Sequence, residues 1–587
     1  MRLNKLTIGS SKDSPTHHFK NLKNVTIDFD QDHWVTVVIG WNGTGKSNVL
    51  EALATIFRDL IALKVRPSFA FKLRYRMGNG ENLRSVYIDS DPDRGDVIQF
   101  FSGSEKDIDD VCKLTATQNL QLGYYVDAQV HNIALHPTLN RCRIHLSEFL
   151  KDDSSYLPRY VFSYYSGESS RMYEIFRPYL EKYDKKLRNG EDPGLKRLFY
   201  AMPVHSQFVL LAFLIQQSDV IREFLDQHLG LDREEGIESV LFVLRQPPWK
   251  SKAKDGDSRF WNARGVVSDF LSRLHDIAIA PVEVSRSVST SIWNKKKLKF
   301  KYLFVKDIAA LRQLVGKQSP AQFFRDLEST YVSELIEEVR IRVRLKKNDG
   351  SVTFRELSEG EQQLLTVLGL LRFTAEDESL FLLDEPDTHL NPRWSVDYIS
   401  YLKQFIASGT RQEETSHILL TTHNPLAIAE LDREQVQILR MQKSDEQRQI
   451  VACYPEMAPR GMGYAAIVTS DMFGIASSLD LPTQELLEKQ RAFAAKDKLL
   501  RDEQLELDDI NSQLDRLGFR FFHPDDEYSR YLRLRNDILI EHFKTDKPEA
   551  LAKQVVQMPR TDRESLAKRL IGELVNELPS SNKGREK

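Results

Sequence analysis

Cysteine is scarce in this sequence: only Cys112, Cys142 and Cys453 occur among 587 residues. Three cysteines so far apart cannot supply a disulfide framework or a zinc ligand set, so we expect a reducing, cytoplasmic setting. Long apolar runs are lacking as well. No stretch of about 18 apolar residues occurs, and the first residues contain no apolar segment of signal-peptide length. We therefore expect neither secretion nor a membrane-spanning segment.

An excess of charge of one sign is also lacking. The chain contains 82 Lys and Arg residues and 85 Asp and Glu residues, for a formal net charge of −3. Because the overall field is nearly neutral, any nucleic-acid site would have to be a local basic patch. At on the order of 100–200 residues per domain, the length predicts roughly three to five units.

Hydrophobic periodicity predicts α/β segments on either side of a helical one. An apolar run over 34–39 predicts a buried strand, and a helix is expected over 46–63. After residue 170 the pattern is mostly helical, apart from a Lys-rich strand near 295–302. We predict four parts, which are an α/β lobe (1–170), a mostly helical insertion (171–325), a second α/β lobe (326–475) and a helical region for partner or oligomer contacts that ends in a disordered tail (476–587).

The strongest local signal is the octapeptide from Gly40 to Ser47, a full match to G-x-x-x-x-G-K-[ST]. Glycines let successive backbone N–H groups face one concavity that suits phosphate oxygens, and the positive end of the following helix points to the same place. Lys46 would reach the β and γ phosphates of ATP, and the Ser47 hydroxyl would bind Mg²⁺. The residues expected to bind the nucleotide are Gly40, Asn42, Gly43, Thr44, Gly45, Lys46, Ser47 and Asn48.

A second helix start is predicted in the later α/β segment. Ser358 and Glu361 have the spacing of a capping box, so a helix should begin near Gly360 with its N–H groups facing outward. Such a helix end attracts anions, although an ordinary capped helix would have the same pattern.

Two carboxylates follow the apolar run 380–383, which predicts a buried strand. We expect Asp384 to hold Mg²⁺ through water and Glu385 to activate an attacking water. A further strand, 418–420, leads to His423, which could sense a γ-phosphate or orient the water. Helix capping by the acids and a structural role for the histidine are the alternatives for each motif taken alone.

The order of these motifs resembles the ABC-type ATPase heads of the SMC, RecF and OLD class. The resemblance implies an α/β P-loop ATPase head, split by the mostly helical insertion and followed by a helical C-terminal region. It also implies that Ser358 and Gly360 of one copy close over ATP held by another copy, so that two heads enclose two nucleotides. The insertion is too short for SMC arms, and no Toprim-like acidic group follows His423, so a built-in nuclease is not expected.

Two segments, 160–171 and 468–474, look like the ATPase subunit of Septu-type anti-phage systems, which also occurs with retrons. This resemblance implies ATP and Mg²⁺ as cofactors, a higher oligomer and a separate HNH nuclease partner. With a retron, an RNA–DNA molecule would be a further component. The turn from Tyr164 to Gly167 is where such heads carry a Q-loop, but no Gln stands there.

Two alternating basic strands are candidates for contact with a phosphate backbone. One strand carries Lys297, Lys299 and Lys301, and the other carries Arg340, Arg342 and Arg344. Solvated faces or a Lys-protected edge strand are the alternatives. Two other functions also stay open. The protein could be a RecF-like DNA-maintenance ATPase, or a scaffold whose oligomer is locked by bound ATP and for which hydrolysis is incidental.

Overall fold

The structure, a computed structural model, describes residues 1–12, 14–94, 97–117, 137–151, 154–215, 219–231, 236–250, 255–289, 295–346, 351–354, 357–374, 378–407, 416–444, 447–496, 498–519 and 526–577. The chain divides into two compact units, Met1–Met462 and Gly463–Lys587. The expected disordered tail lies outside the described residues. The four-part division of the chain stays a prediction.

The first unit contains all the strands described. They are β1 (Arg2–Ile8), β2 (Val25–Asp28), β3 (Val35–Gly40), β4 (Phe71–Met77), β5 (Arg84–Ser90), β6 (Ile98–Gly103), β7 (Arg143–Ile144), β8 (Val161–Tyr165), β9 (Leu198–Tyr200), β10 (Ile237–Arg245), β11 (Ile279–Ser289), β12 (Lys295–Val305), β13 (Ile336–Arg344), β14 (Ser351–Thr353), β15 (Leu380–Asp384), β16 (His417–Thr421), β17 (Val436–Ser444) and β18 (Gln447–Cys453).

Helices of the first unit pack around these strands. They are α1 (Lys46–Phe57), α2 (Glu105–Thr117), α3 (Pro137–Cys142), α4 (Leu146–Phe149), α5 (Arg171–Arg188), α6 (Val204–Ile215), α7 (Asp219–Leu229), α8 (Gly265–Ile277), α9 (Ile308–Val315), α10 (Pro320–Val332), α11 (Glu359–Thr374) and α12 (Pro392–Ala407). A π-helical turn over Arg58–Leu63 continues α1.

The central sheet has the strand order β18-β17-β3-β16-β15-β8-β9. Its neighbouring strands are parallel except for the β17–β18 pair. The strands β15 and β16 are buried at every residue. This burial on both faces explains their continuous apolar sequences, because parallel strands are covered by helices on each side.

A second sheet, in the order β2-β1-β4-β5-β6-β7, is antiparallel throughout. The strand β4 alternates buried and half-buried residues, as expected where one face packs on a core. The apolar residues of this sheet share one buried cluster with α1 and with parts of the central sheet. The antiparallel sheet therefore supports the helix that follows β3.

The residues between 171 and 325 contain more than the helices predicted there. Three long strands, β10, β11 and β12, join β13 and β14 in a third sheet with the order β11-β12-β10-β13-β14. The sequence indicated only the Lys-rich β12, because the apolar residues of β10 also fit a buried helix. The short strand β9 falls within the predicted insertion as well, but it pairs with β8 at the edge of the central sheet. Three residues are too few for periodicity to reveal a strand.

A buried group of charges connects the start of β9 with α6 and α10. Glu328 forms ion pairs with Lys196 and with His205, whose Nε2 lies 2.6 Å from Oε2 of Glu328. Burial alone would raise the pKa of Glu328, but the charges of His205 and Lys196 lower it to about 2. Removing Glu328 would leave the charges of Lys196 and His205 uncompensated in the interior, which is strongly destabilising.

The second unit is helical in its described residues. Its helices are α13 (Tyr464–Thr469), α14 (Leu481–Ala494), α15 (Arg501–Arg516), α16 (Asp526–Phe543), α17 (Pro548–Gln557) and α18 (Arg560–Glu577). They pack around two small apolar clusters, one including Leu539 and Leu551 and the other including Phe493 and Leu514.

Candidate functional site

The carboxyl ends of β3, β16 and β15 lie side by side in the central sheet. The strand β3 leads into the loop 41–45, β15 ends at Asp384, and β16 leads toward His423. Because neighbouring parallel strands end at one edge, segments that are far apart in sequence meet there. The structure thus brings the predicted phosphate loop, carboxylates and histidine to one place.

The loop before α1 has a backbone that glycine permits. Gly43 and Gly45 have φ values of +84° and +89°, in the left-handed region. A Cβ on Gly40 would lie 2.5 Å from the carbonyl oxygen of Leu439, so no larger residue fits there. Lys46 begins the helix, and its Nζ donates to the Gly40 carbonyl at 2.9 Å. Burial lowers the pKa of Lys46, while the nearby carboxylates oppose that effect.

One carboxylate oxygen receives two hydroxyl hydrogen bonds. The Ser47 Oγ donates to Asp384 Oδ1 at 3.1 Å, and the Thr421 Oγ1 donates to the same oxygen at 2.5 Å. Asp384 is buried, and burial raises its pKa against the opposing effect of these hydrogen bonds. A hydroxyl and a carboxylate at the mouth of a phosphate loop are ligands of the kind that Mg²⁺ prefers, so Ser47 and Asp384 fit that ion.

The second carboxylate is paired with the histidine. Glu385 Oε1 lies 3.2 Å from His423 Nε2, and both side chains are partly exposed. The hydrogen bond from His423 lowers the pKa of Glu385. Glu385 has a φ of +50°, which is uncommon for a residue with a side chain. Its N–H donates to the Thr421 carbonyl at 3.1 Å, which holds this turn against the end of β16.

The predicted second helix start is α11. Ser358 Oγ donates to Glu361 Oε2 at 2.8 Å, and the Glu361 N–H donates back to Ser358 Oγ at 3.3 Å. Ser358 is exposed, while Gly360 is buried. A Cβ on Gly360 would lie 2.5 Å from the carbonyl oxygen of His389, so glycine allows α11 to approach the turn after β15.

The other predicted nucleotide-binding residues lie in the loop or just after it. Thr44 Oγ1 donates to the Trp41 carbonyl at 2.7 Å, and Asn42 is exposed at the tip. Asn48 Nδ2 donates to Asn21 Oδ1 at 2.6 Å, and Asn21 Nδ2 donates to the Gly43 carbonyl at 2.9 Å. These contacts fix the loop conformation from outside the motif.

Two segments flank the carboxylates, the turn compared with a Q-loop and the turn 387–391 that follows β15. The Ser166 N–H donates to the Asp384 carbonyl at 3.3 Å, and the hydroxyls of Ser166 and Thr388 lie 3.2 Å apart. Asn391 caps α12, because its Oδ1 accepts the N–H of Trp394 at 2.9 Å.

Sequence reasoning missed Thr421, Asn21 and Gln363. Thr421 is the last residue of a buried strand, and a hydroxyl at that point beside two carboxylates is a signal that could have found it. Gln363 is buried on α11, one turn after Gly360. Asn21 lies in a loop between β1 and β2 with no motif, so only the fold reveals its contact with Gly43.

The two predicted basic sets do not form one surface. Lys301 lies opposite Leu244, while Arg340 lies opposite Leu241 on the same strand, β10. Residues 241 and 244 of an alternating strand point to different faces, so the lysines and arginines lie on opposite sides of the third sheet. Glu283 also forms ion pairs with Lys299 at 2.8 Å and Lys301 at 3.3 Å.

Two protein families match separate parts of the chain. A family described as an AAA ATPase domain matches residues 17–183, which contain the phosphate loop. A family described as an AAA domain, putative AbiEii toxin, Type IV TA system, matches residues 252–429, which contain both carboxylates and the histidine. Each half of the assembled site therefore lies within an ATPase-family match.

The chain carries a P-loop ATPase head. The α/β P-loop ATPase fold predicted from the motif order is confirmed, because both halves of the assembled site lie within ATPase-family matches. A head of this kind binds nucleotides.

Curated relatives of the ATPase head are distant in sequence. The chain is 25% identical over 169 residues to the Septu protein PtuA of Bacillus mycoides (strain KBAB4), a match that covers 26% of this chain and 22% of that protein. It is 20% identical over 419 residues to the Retron Vc95 probable ATPase of Vibrio cholerae serotype O1 biovar El Tor. This match covers 69% of this chain and 68% of that protein. The chain thus spans about a fifth of the first relative and about two thirds of the second.

Among solved structures, the chain is similar to an SMC head domain from Thermotoga maritima, with 11% identity and a TM-score of 0.30 over 78% of this chain and 100% of the other. It is also similar to an Smc head domain derived from Pyrococcus furiosus, with 12% identity and a TM-score of 0.29 over 77% of this chain and 96% of the other. Both superpositions are loose. None of the helices in the described parts of the chain has the length and apolar character needed to cross a membrane.

Proposed function

We propose that this protein is the ATP-binding and ATP-hydrolysing subunit of an anti-phage defence complex, and that it controls a separate HNH nuclease. The observation that carries the ATPase part is the convergence of Ser47, Asp384, Glu385 and His423 at one edge of the central sheet. The similarity to a Septu protein and to a retron ATPase supports the defence setting.

Binding of ATP would begin at the phosphate loop. The N–H groups at the start of α1 and the charge of Lys46 would hold the phosphates, after Lys46 leaves the carbonyl of Gly40. Ser47 and Asp384 would hold Mg²⁺, which neutralises charge on the β and γ phosphates when bound. Thr421 orients Asp384 for this task through its short hydrogen bond.

Hydrolysis would use the Glu385–His423 pair. Glu385 has a lowered pKa and is therefore a carboxylate near neutral pH, so it can accept a proton from the attacking water. His423, 3.2 Å away, would hold that carboxylate in position and could contact the γ-phosphate. The Glu385 side chain is partly exposed, so water can reach it.

Closure of the site would need a second copy of the chain. Ser358 and Glu359 are exposed at the start of α11, as expected for a contact with ATP held by a neighbouring head. The end of α11 that carries Ser358 also approaches the turn after β15 through Gly360. A partner's nucleotide could therefore affect the carboxylates of this copy.

The partner part of the proposal is tested by purifying the tagged chain from its native host and identifying the proteins and nucleic acids that accompany it. We expect an HNH nuclease, and we expect loss of phage protection when either gene is deleted. A small RNA–DNA molecule in addition would indicate a retron. Repair proteins without a nuclease, and unchanged phage sensitivity after deletion, would contradict the proposal and favour a DNA-maintenance ATPase.

A further inference from the structure

The third sheet has two unlike faces. On one face, Phe242 packs near Phe270 of α8, with ring centroids 6.4 Å apart, and Phe270 packs near Phe323 of α10. Leu303 and Ile341 on the same face are buried as well. Helices therefore cover this face, as one expects for the core side of an antiparallel sheet.

The opposite face is exposed near β11 and carries apolar and aromatic side chains. The register places Ile279, Phe304, Leu241 and Arg340 in one row across four strands. The next row includes Val282 and Tyr302. Phe304 is 39% exposed and Val282 is 51% exposed. We call this surface the open face and define it by Val282, Arg286, Tyr302, Phe304, Arg340 and Arg342.

Arginines accompany the aromatic residues on the open face. The Arg286 guanidinium lies over the Tyr302 ring, 4.9 Å from its centroid. Arg340 and Arg342 are exposed on β13, and Arg340 forms an ion pair with Glu338 at 3.0 Å. Within the described residues, no carboxylate lies in ion-pair distance of Arg342 or Arg286. Glu338 shares this face, opposite Val243. Arg286, Arg340 and Arg342 outnumber it, so the open face is basic although the whole chain is not.

Two parallel lines of side chains run along the strands of this face. Phe304 and Tyr302 form an aromatic line along β12, and Arg340 and Arg342 form a basic line along β13. One strand, β10, separates the two lines, so they lie roughly 10 Å apart. Phe304 is exposed, whereas Tyr302 is half-buried beneath Arg286. An exposed ring on a sheet, beside a line of cations, is the arrangement that stacks an unpaired base and tracks its phosphates.

We propose that the open face binds single-stranded nucleic acid, with a base on Phe304 and phosphates on Arg286, Arg340 and Arg342. A duplex keeps its bases stacked internally, so it would use the arginines but not the ring. The lysines on the other face lack such aromatic neighbours in their row, and two of them are paired with Glu283. The site is separate from the nucleotide site and does not depend on hydrolysis.

The test is fluorescence anisotropy of the full chain with a labelled single-stranded oligonucleotide of about 20 residues, as DNA and as RNA, and with the matching duplex. We expect tighter binding of a single strand than of the duplex. Phe304→Ala should weaken single-strand binding by about five- to a hundredfold, whereas Phe304→Tyr, which keeps the ring, should bind normally. The double variant Arg340→Ala/Arg342→Ala should lower the slope of log affinity against log salt by about 1.4.

Lys297→Ala/Lys299→Ala is the matched control on the opposite face, and thermal unfolding and ATP turnover show whether each variant is folded. A preference for DNA or for RNA would identify the strand and support the proposal. Equal binding of duplex and single strand, or a larger loss from the lysine variant than from the arginine variant, would overturn it. So would a Phe304→Ala protein that binds the strand normally but loses a protein partner.

Discussion

The side chain of Gln363 accepts a hydrogen bond from the backbone of His389, with 3.1 Å between Oε1 and the His389 nitrogen. Its Nε2 lies 3.5 Å from the carbonyl oxygen of Glu385. Gln363 is buried on α11, the helix that begins after Ser358. A single amide therefore joins the helix start expected to contact a partner's ATP to the turn that holds Glu385.

Replacing this amide should uncouple the two segments. We expect Gln363→Leu to bind ATP with nearly normal affinity but to hydrolyse it roughly tenfold more slowly, because the Glu385 turn loses two hydrogen bonds from α11. Steady-state turnover and nucleotide binding measured on the same preparation check this.

Gln362→Leu is the control for that variant. Its amide donates to the carbonyl of Leu357 at the start of the same helix, at 2.9 Å, and so affects the helix rather than the Glu385 turn. An equal loss of turnover in Gln362→Leu and Gln363→Leu would remove Gln363 from its connecting role.

Thr421 should matter for both stability and turnover. Its hydroxyl donates to Asp384 and lies 3.2 Å from the Glu385 nitrogen, in a fully buried position. Thr421→Val keeps the shape but leaves the buried carboxylate without this donor, which should cost about 1.5–3 kcal/mol and raise the Mg²⁺ concentration needed for turnover.

Thr421→Ser keeps the hydroxyl and is the matched comparison. We expect it to retain most of the stability and the normal Mg²⁺ requirement. Thermal unfolding and turnover against Mg²⁺ concentration distinguish the two variants. Identical behaviour of the Val and Ser variants would show that the hydroxyl is not what positions Asp384.

Asp387 should give the stability a dependence on pH. Burial raises its pKa to about 6 from an ordinary value near 3.8, against an opposing hydrogen bond from Thr422. Between these two values the folded protein keeps a proton that the unfolded chain has lost, so stability from this group falls as pH rises and is level above about pH 7.

Asp387→Asn removes this titration. Relative to the natural protein, the variant should gain about 1.4 kcal/mol of unfolding free energy between pH 5 and pH 7.5. Paired thermal unfolding curves across that range measure the difference. A difference that stays constant with pH would contradict the raised pKa of Asp387.

The parts of this structure that were predictable follow from local patterns. The apolar run of β15 and the glycines of the phosphate loop each determine their own local structure, so Asp384 and Lys46 were placed correctly at a strand end and a helix start. The capping box of Ser358 and Glu361 is likewise formed by residues three apart.

What the sequence could not give depends on pairing between distant segments. The contact of Thr421 with Asp384 requires β16 to lie beside β15, and no local pattern specifies that order. The positions of Lys301 and Arg340 on opposite faces depend on the register of both strands with β10. Each basic pattern alone indicated an exposed face, but neither could show which aromatic residues would share it.

The most direct test of the account is the turnover of Glu385→Gln with ATP and Mg²⁺, measured together with its ATP affinity. The proposal assigns proton transfer from water to the Glu385 carboxylate, held by His423 at 3.2 Å. We predict that the variant binds ATP as tightly as the natural protein and hydrolyses it at least about tenfold more slowly. Unchanged turnover in a folded, ATP-binding Glu385→Gln protein would contradict the proposed site.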